Sequence, residues 1–580
     1  MAGRAPAPTR LIALETAVAA LAAALTCAWF ASRSTAAVAL LAAALVAALA
    51  ARARPGHPPR RPRPRVETLV CLALAVAYRA PALVHPWGWV NRDGAYGAFV
   101  AIHLLDGGRP APVFTEGANY QGTLKGHLAA LLALLTGVRD FSWLMVVSSL
   151  LLYLVFVAAT MALARRLAGP PAAAFAGLYL ALGPRFLTVF SLNCVGQYMD
   201  VLALGSLALV LAARVLDDGR AGREARLAYA GIGALLGAAF WQQPVALAYA
   251  GAVAGALALR ARTWRDPWAL LVPAGALLGA LPVLVWNAQN DWASVDILGR
   301  DPGELRAQAD ALPHLVRRTA TISFPILAGL SPGHPWADVP AVRAAAVALI
   351  PLALAAYAAV RGRPAWRALR EGRSGADLLA PLLMAACLAL FWAIASGRVY
   401  WRPRYLLPVA GATAVHLGVA LAWSWRRARA PGTVVIAGLL ALHVAGTLPR
   451  LRDGGRIAEQ YARLVRSLRE KGIRTGYADF SISAPVTMFT AEQIVLSPGL
   501  GPTPAYESDR HRRLVEAAGP DAYVLRPEDD ADAFARTLRG LGVSFRLDRD
   551  PVPVFHAFSR RVPLQQVIGA GTAPAHDADE

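Results

Sequence analysis

From Leu11 to about Val444 the chain returns repeatedly to long apolar runs, and this recurrence constrains its fold more than any other feature. About 20 apolar residues in a helix cross a hydrocarbon core of about 30 Å. Spans are expected near residues 11–31, 35–51, 66–84, 141–164, 171–190, 196–213, 227–243, 245–260, 268–287, 342–360, 377–395, 405–425 and 433–449, about thirteen in all. Hydrophobic residues make up 56% of the 580, above the roughly 45 to 50% of soluble domains, and the excess sits in these runs. The first run follows Arg4 and Arg10 as a signal peptide would. A second begins almost at once after Ser32-Arg33-Ser34, so an uncleaved helical hairpin is expected.

A formal charge of +21 would suggest nucleic acid in a soluble protein. Here the arginines stand in short loops between apolar runs, where Lys and Arg are retained on the cytoplasmic side. The charge is therefore read as topogenic, and no nucleic-acid partner is expected. Every second loop is basic: Arg52 to Arg65, Arg165-Arg166, Arg214 to Arg226, Arg260 to Arg265, Arg361 to Arg373 and Arg426 to Arg429. This threading predicts a multi-pass protein of the cytoplasmic (plasma) membrane with its N-terminus in the cytoplasm. Two long loops, at about 85–140 and 288–341, and the tail are then extracytoplasmic. Cys27, Cys71, Cys194 and Cys387 lie in or beside apolar runs without metal-ligand spacing, so neither a disulfide framework nor a zinc site is indicated. The spacings Gly233 to Gly237 and Gly251 to Gly255 suit close helix contacts in lipid.

The expected division is a transmembrane domain over 1–449 and a small α/β domain over 450–580. In the tail, helical stretches at 457–470 and 532–541 alternate with strand-like runs at 475–478, 493–496, 522–525, 543–547 and 554–558. The last dozen or so residues read as a terminus outside the core.

Candidate chemistry gathers in the first outer loop, which holds Trp87, Trp89, Asn91, Arg92, Asp93, Asp106, Lys125 and His127. Asp93 is the candidate general base, because deprotonating an attacking hydroxyl needs a positioned carboxylate. The residues alone leave equal room for Asp93 as the cap of a helix starting at Gly94 or Ala95. Arg398, Arg402 and Arg404 stand in an outer loop against the charge trend. Guanidinium forks suit a phosphate, and a polyprenyl-phosphate leaving group would draw on them; anionic lipid headgroups are the alternative. Lys125 and Arg185 are weaker candidates for the same work. Asp200, just inside a span, is read either as functional or as a partner of Arg185.

At this point the chain resembles the GT-C superfamily of membrane glycosyltransferases, near the family 39 type of protein mannosyltransferases and lipid A aminoarabinose transferases. The resemblance rests on the outer loop with Asp93 and Tyr96, Leu105-Asp-Gly-Gly-Arg-Pro, Asn119-Tyr-Gln-Gly-Thr-Leu and Gly183-Pro-Arg-Phe186. It extends to Trp286-Asn287, Arg404-Tyr-Leu-Leu-Pro408 and Gly476-Tyr-Ala-Asp-Phe480. It implies a polytopic α-helical fold, Asp93 as catalytic aspartate, a polyprenyl-phosphate-linked sugar donor, and inverting transfer to a lipid, glycan or protein acceptor on the outer face. Tyr96, Tyr120 and His127 would shape the loop or meet the acceptor. Many family members carry an acidic residue directly after that aspartate, whereas this chain has Gly94. Some GT-C enzymes use a divalent metal; the sequence offers no dense carboxylate cluster for one, so no metal ligand is assigned.

Two other readings compete. A transporter or lipid-carrier flippase would favour broken helices or ionisable sites near the bilayer midplane, with Gln242-Gln243-Pro244 as the best such feature, although it also reads as the turn of a tight hairpin. A noncatalytic scaffold would rest on Gly94 alone.

Overall fold

The computed structural model describes residues 66–107, 112–218, 222–260, 266–294, 312–371, 375–394, 402–500 and 508–569. The spans expected at 11–31 and 35–51, the basic run Arg52 to Arg65, Arg398 and the last residues of the tail lie outside these segments. In chain order the first helices are α1 Val66–Val84, α2 Arg92–Leu105, α3 Leu124–Thr136, α4 Phe141–Ala168, α5 Pro170–Ala181, α6 Tyr198–Asp218 and α7 Gly222–Gln242. Next come α8 Leu247–Ala258, α9 Leu271–Gly279, α10 Leu281–Gln289, α11 Pro340–Arg370, α12 Leu379–Ile394, α13 Leu407–Arg427 and α14 Arg429–Glu470.

Among the described residues 7 helices are long and apolar enough to cross a membrane, or 8 if one bent pair counts as a span, against about thirteen expected over the whole chain. Prolines explain the main departures. The span expected at 171–190 stops at Ala181 and restarts as the short helix Arg185–Phe190, because the residue before Pro184 is pushed out of the helical region. The span expected at 268–287 bends by 54° between Gly279 and Leu281, next to Pro282. The span expected at 433–449 passes through Pro449 and merges with the helix expected at 457–470 into the 42-residue α14. The segment expected as a second outer loop contains helical residues 312–327, with a π turn at Thr319–Ser323. Gln242 ends α7, and Pro244–Ala246 forms a 3-10 turn into α8; α7 packs mainly on α6 and α9 and α8 mainly on α12, so the two do not form the tight hairpin expected.

By compactness the chain forms two units: Met1–Ala80, Leu150–Ser191 and Tyr198–Leu451 in one, Pro81–Ser149, Leu192–Gln197 and Arg452–Glu580 in the other. In the first unit the basic helix ends meet one another. Arg165 pairs with Glu67, Arg166 with Asp217 at 2.8 Å, and Arg361 with Asp377 at 2.7 Å. Asp217 accepts from Ala376 N at 3.0 Å, and Arg260 donates to the Val215 carbonyl at 2.7 Å. The described residues of these basic loops therefore share one face. Gly233 and Gly237 of α7 lie against the Val272 and Ala276 carbonyls of α9, too close for any side chain, which is the small-residue packing the sequence pattern predicts.

The second unit carries a five-stranded sheet of order β2-β1-β3-β5-β4. Its strands are β1 Thr475–Ala478, β2 Val495–Pro498, β3 Ala522–Val524, β4 Arg546–Asp548 and β5 Val554–His556. The β1–β2 and β1–β3 pairs are parallel, the β3–β5 and β4–β5 pairs antiparallel. Parallel neighbours need crossovers, here helices α15 Phe480–Phe489 and α16 Asp509–Ala518. Helices α17 Ala531–Gly540 and α18 Leu564–Gly569 complete the unit. Strand alternation sends Tyr477, Tyr523 and Phe555 into a core with Phe534 and Leu538. It sends Ala478, Val524 and Val554 into a second core with Val486 of α15 and Leu464 and Leu468 from the end of α14.

Candidate active site around helix α2

Helix α2 starts at Arg92, two residues earlier than the first of the expected starts, and its N-cap is Asn91, whose Oδ1 accepts from Gly94 N at 3.0 Å. Asp93 sits in the first turn and is not the cap. Its carboxylate is 20% exposed and lies 3.8 Å from Arg92 Nε. The capping alternative thus falls to Asn91, which leaves the Asp93 carboxylate available for other work.

Gly94 is set by packing. A Cβ there would come within 2.9 Å of the Asn193 carbonyl oxygen and 3.0 Å of Cys194 Cβ. The segment Leu192–Gln197 lies over the start of α2, and it does so with Cys194 at φ +60° and Gly196 at φ +52°. The same segment is tied to α3: Lys125, fully buried, donates from Nζ to the Gly196 carbonyl at 2.9 Å. Gly126 next to it packs under the Gly97 carbonyl, where a Cβ would stand 2.7 Å away. Close glycine contacts thus hold α2, α3 and the crossing segment together.

The other predicted residues divide between the units. Tyr96 is buried, edge-on to Phe99 at 5.5 Å and 5.9 Å from Phe480. His127 places Nδ1 2.8 Å from the Thr123 carbonyl in its own first turn. Tyr120, half-buried, stands in the tight loop closed by Thr115 N donating to Gln121 O at 2.9 Å. In the first unit Arg185 opens its short helix and donates to the Pro332 carbonyl at 3.3 Å. Arg402 is exposed ahead of the 3-10 turn Pro403–Leu406, and Arg404 stacks 5.5 Å from the Tyr405 ring centroid. Asp200 is fully buried in the first turn of α6.

Sequence reading missed Asn91 as the cap, Arg79 and Glu492. Arg79 is fully buried in α1, donating to Ser191 Oγ at 2.7 Å and to the Ala181 carbonyl at 2.8 Å, with its guanidinium 4.2 Å over the Tyr153 ring. An arginine inside an apolar run was the available signal. Glu492 belongs to the tail and meets α2 through His103 at 2.9 Å. Among the described residues no group of three or more His, Cys, Asp or Glu side chains is placed to hold a metal ion.

Residues 124–286 match the family model described as dolichyl-phosphate-mannose-protein mannosyltransferase. No curated protein matches the chain in sequence. Among solved structures, ArnT from Cupriavidus metallidurans bound to undecaprenyl phosphate is similar at 16% identity and a TM-score of 0.54, over 84% of this chain and 97% of that one. The same protein in its apo state gives 17% identity and a TM-score of 0.55, over 83% and 97%. The archaeal oligosaccharyltransferase AglB from Archaeoglobus fulgidus, in complex with an inhibitory peptide and a dolichol-phosphate, gives 13% identity and a TM-score of 0.45, over 86% and 74%. Residues 124–286 thus carry the similarity to the mannosyltransferase family model, and the chain as a whole shares the fold of the ArnT structures.

Proposed function

We propose that this protein is a glycosyltransferase that moves a sugar from a polyprenyl-phosphate donor to a lipid, glycan or protein acceptor, on the extracytoplasmic face of the cytoplasmic membrane. Asp93 acts as general base. The observation that carries this reading is a carboxylate in the first turn of α2, relieved of capping by Asn91 and still 20% exposed. Undecaprenyl phosphate, to which ArnT is bound in its structure, is the class of carrier the reading requires.

In this mechanism the acceptor hydroxyl gives its proton to the Asp93 carboxylate as its oxygen attacks the anomeric carbon. The bond from that carbon to the phosphate oxygen breaks, and the polyprenyl phosphate leaves with the electron pair. Cations stabilise the charge that develops on the leaving phosphate, and Lys125, Arg185, Arg402 and Arg404 are the candidates the sequence offers for that work. Attack opposite the leaving group inverts the anomeric centre. Tyr96 supports the loop from within the core.

The broken span at α9 and α10 is the feature a transporter would use. Its break lies among Gly279, Ala280, Leu281 and Pro282, without a polar side chain to meet a solute, and the proline accounts for the bend. The deciding assay follows transfer from labelled polyprenyl-phosphate sugars in membranes holding equal amounts of wild type or Asp93→Asn. The expected result is turnover by wild type and a loss of about 100-fold or more in the variant. Equal turnover by both would remove Asp93 as base, and no turnover from a broad donor panel would remove the transferase reading.

A further inference from the structure

Glu492 stands in a turn with a costly backbone. Ala491 and Glu492 have φ of +46° and +61°, the left-handed region that residues with a side chain enter rarely and that clusters at functional sites. Hydrogen bonds hold this turn: Glu492 N donates to the Thr487 carbonyl and Ala491 N to the Met488 carbonyl, both at 2.9 Å. Ile494 N donates to Thr490 Oγ1 at 3.1 Å and Leu496 N to Thr487 Oγ1 at 3.0 Å.

The strained turn delivers a nearly buried carboxylate, 9% exposed, to the C-terminal end of α2. Glu492 Oε1 accepts from His103 Nε2 at 2.9 Å and from His511 Nε2 at 2.7 Å. Arg510 Nη1 reaches Oε2 at 2.7 Å and also contacts His103 Nε2. On its other side the His103 ring lies 3.9 Å from Glu116 Oε1. The guanidinium already supplies the cation that such a group of histidines and carboxylates would otherwise attract, so the cluster is an ion-pair latch. Phe99 packs edge-on to His511 at 4.7 Å, between the latch and the rest of α2.

The N-terminal end of α2 is held by the helix just before that turn. Arg92 lies 4.9 Å over the Phe480 ring, Tyr96 touches the same ring, and Trp87 stacks on Phe489 at 4.5 Å. Helix α15 thus runs along α2, and the turn after it grips the far end at His103, ten positions from Asp93 and about 15 Å along the axis. A helix gripped at both ends transmits a shift at one end to the other.

We propose that Glu492 is a positioning residue: by latching His103 it fixes the register of α2 and so holds the Asp93 carboxylate in place for proton abstraction. The tail sheet is then a working part of the catalytic centre. The proposal rests on Asp93 as general base.

The test compares wild type with Glu492→Gln and Glu492→Asp in the full-length protein, reading transfer kinetics and amide hydrogen exchange together. Glu492→Gln is expected to lower kcat about 10- to 100-fold, leave the donor KM within about twofold, and raise exchange selectively over residues 92–105 while β1, β3 and α17 stay protected. Glu492→Asp is expected to recover part of both. Wild-type kcat in Glu492→Gln, a fall in kcat without faster exchange in α2, or loss of protection across the whole sheet would each overturn the proposal. Should Glu492→Gln fail to accumulate, Arg510→Met takes its place with the same pattern at smaller size. An Asp93→Asn protein as active as wild type would defeat the general-base reading, whereas the exchange comparison decides the latch by itself.

Discussion

Lys125 and Gly196 are joined by a 2.9 Å hydrogen bond in which a fully buried ammonium donates to a main-chain carbonyl. Lys125 thus has a structural bond to Gly196, and the proposed function also assigns it to the donor phosphate. The two roles separate in kinetics. Lys125→Gln is expected to fold and to raise the donor KM about tenfold, the effect of losing one charge-assisted contact of about 1.4 kcal/mol. Titration of membranes with the donor measures it; an unchanged KM would assign Lys125 to structure.

Gly94 stands where the resemblance drawn from the sequence implies an acidic residue, and the contact with Asn193 and Cys194 explains a glycine there. Gly94→Ala is expected to cost about 1–3 kcal/mol through overpacking, and Gly94→Glu more. Thermal unfolding in detergent should show both midpoints lowered in that order. A Gly94→Glu protein more active and as stable as wild type would contradict this account.

Arg79 ties α1 to the Ala181 carbonyl and to Ser191. Arg79→Met keeps much of the side-chain volume but leaves those buried groups without their donor, at about 1–3 kcal/mol each. The expected outcome is a clearly lower unfolding midpoint. Unchanged stability would mean that other donors replace the guanidinium.

Burial pushes the Glu492 carboxyl up, but the hydrogen bonds and charge from His103 and His511 outweigh it and hold the group well below the usual carboxylate range. Glu116 and Arg510 also face this cluster. A carboxylate with a depressed folded value stabilises the native state fully above its ordinary value of about 4.5, and loses that contribution as pH falls through the folded value. Exchange protection of residues 92–105, corrected for the intrinsic exchange rate at each pH, should therefore hold from pH 7 to about 5 and weaken only in stronger acid. Loss of protection already between about pH 6 and 5 would show that another group controls the latch.

Much of the architecture was legible in the residues because its causes are local. Apolar length marks a span, and among the described residues Arg165, Arg166, Arg260 and Arg361 of the predicted basic loops do meet on one face, through pairs such as Arg166 with Asp217. Strand alternation in the tail placed β1 at Thr475–Ala478, as expected, and the other strands within a few residues. Prolines were visible too, but their outcomes differed: Pro184 broke a span, whereas Pro449 sits inside the continuous α14. The surrounding helix and its packing decide that, and neither is written at the proline.

The candidate site depended on contacts between distant positions. Sequence periodicity and charge identify Asp93 as a candidate carboxylate, but only folding shows Asn91 taking the cap and Asn193 covering Gly94. His103 and Glu492 are 389 positions apart, and neither stands in a motif that names the other. The chain's own order therefore determined the membrane-spanning character, the alternation of charged loops and the small α/β tail, since hydropathy and charge act on neighbours along the chain. The tertiary structure alone decided how the tail grips α2, because hydrogen bonds and close packing act over a few ångströms regardless of sequence separation.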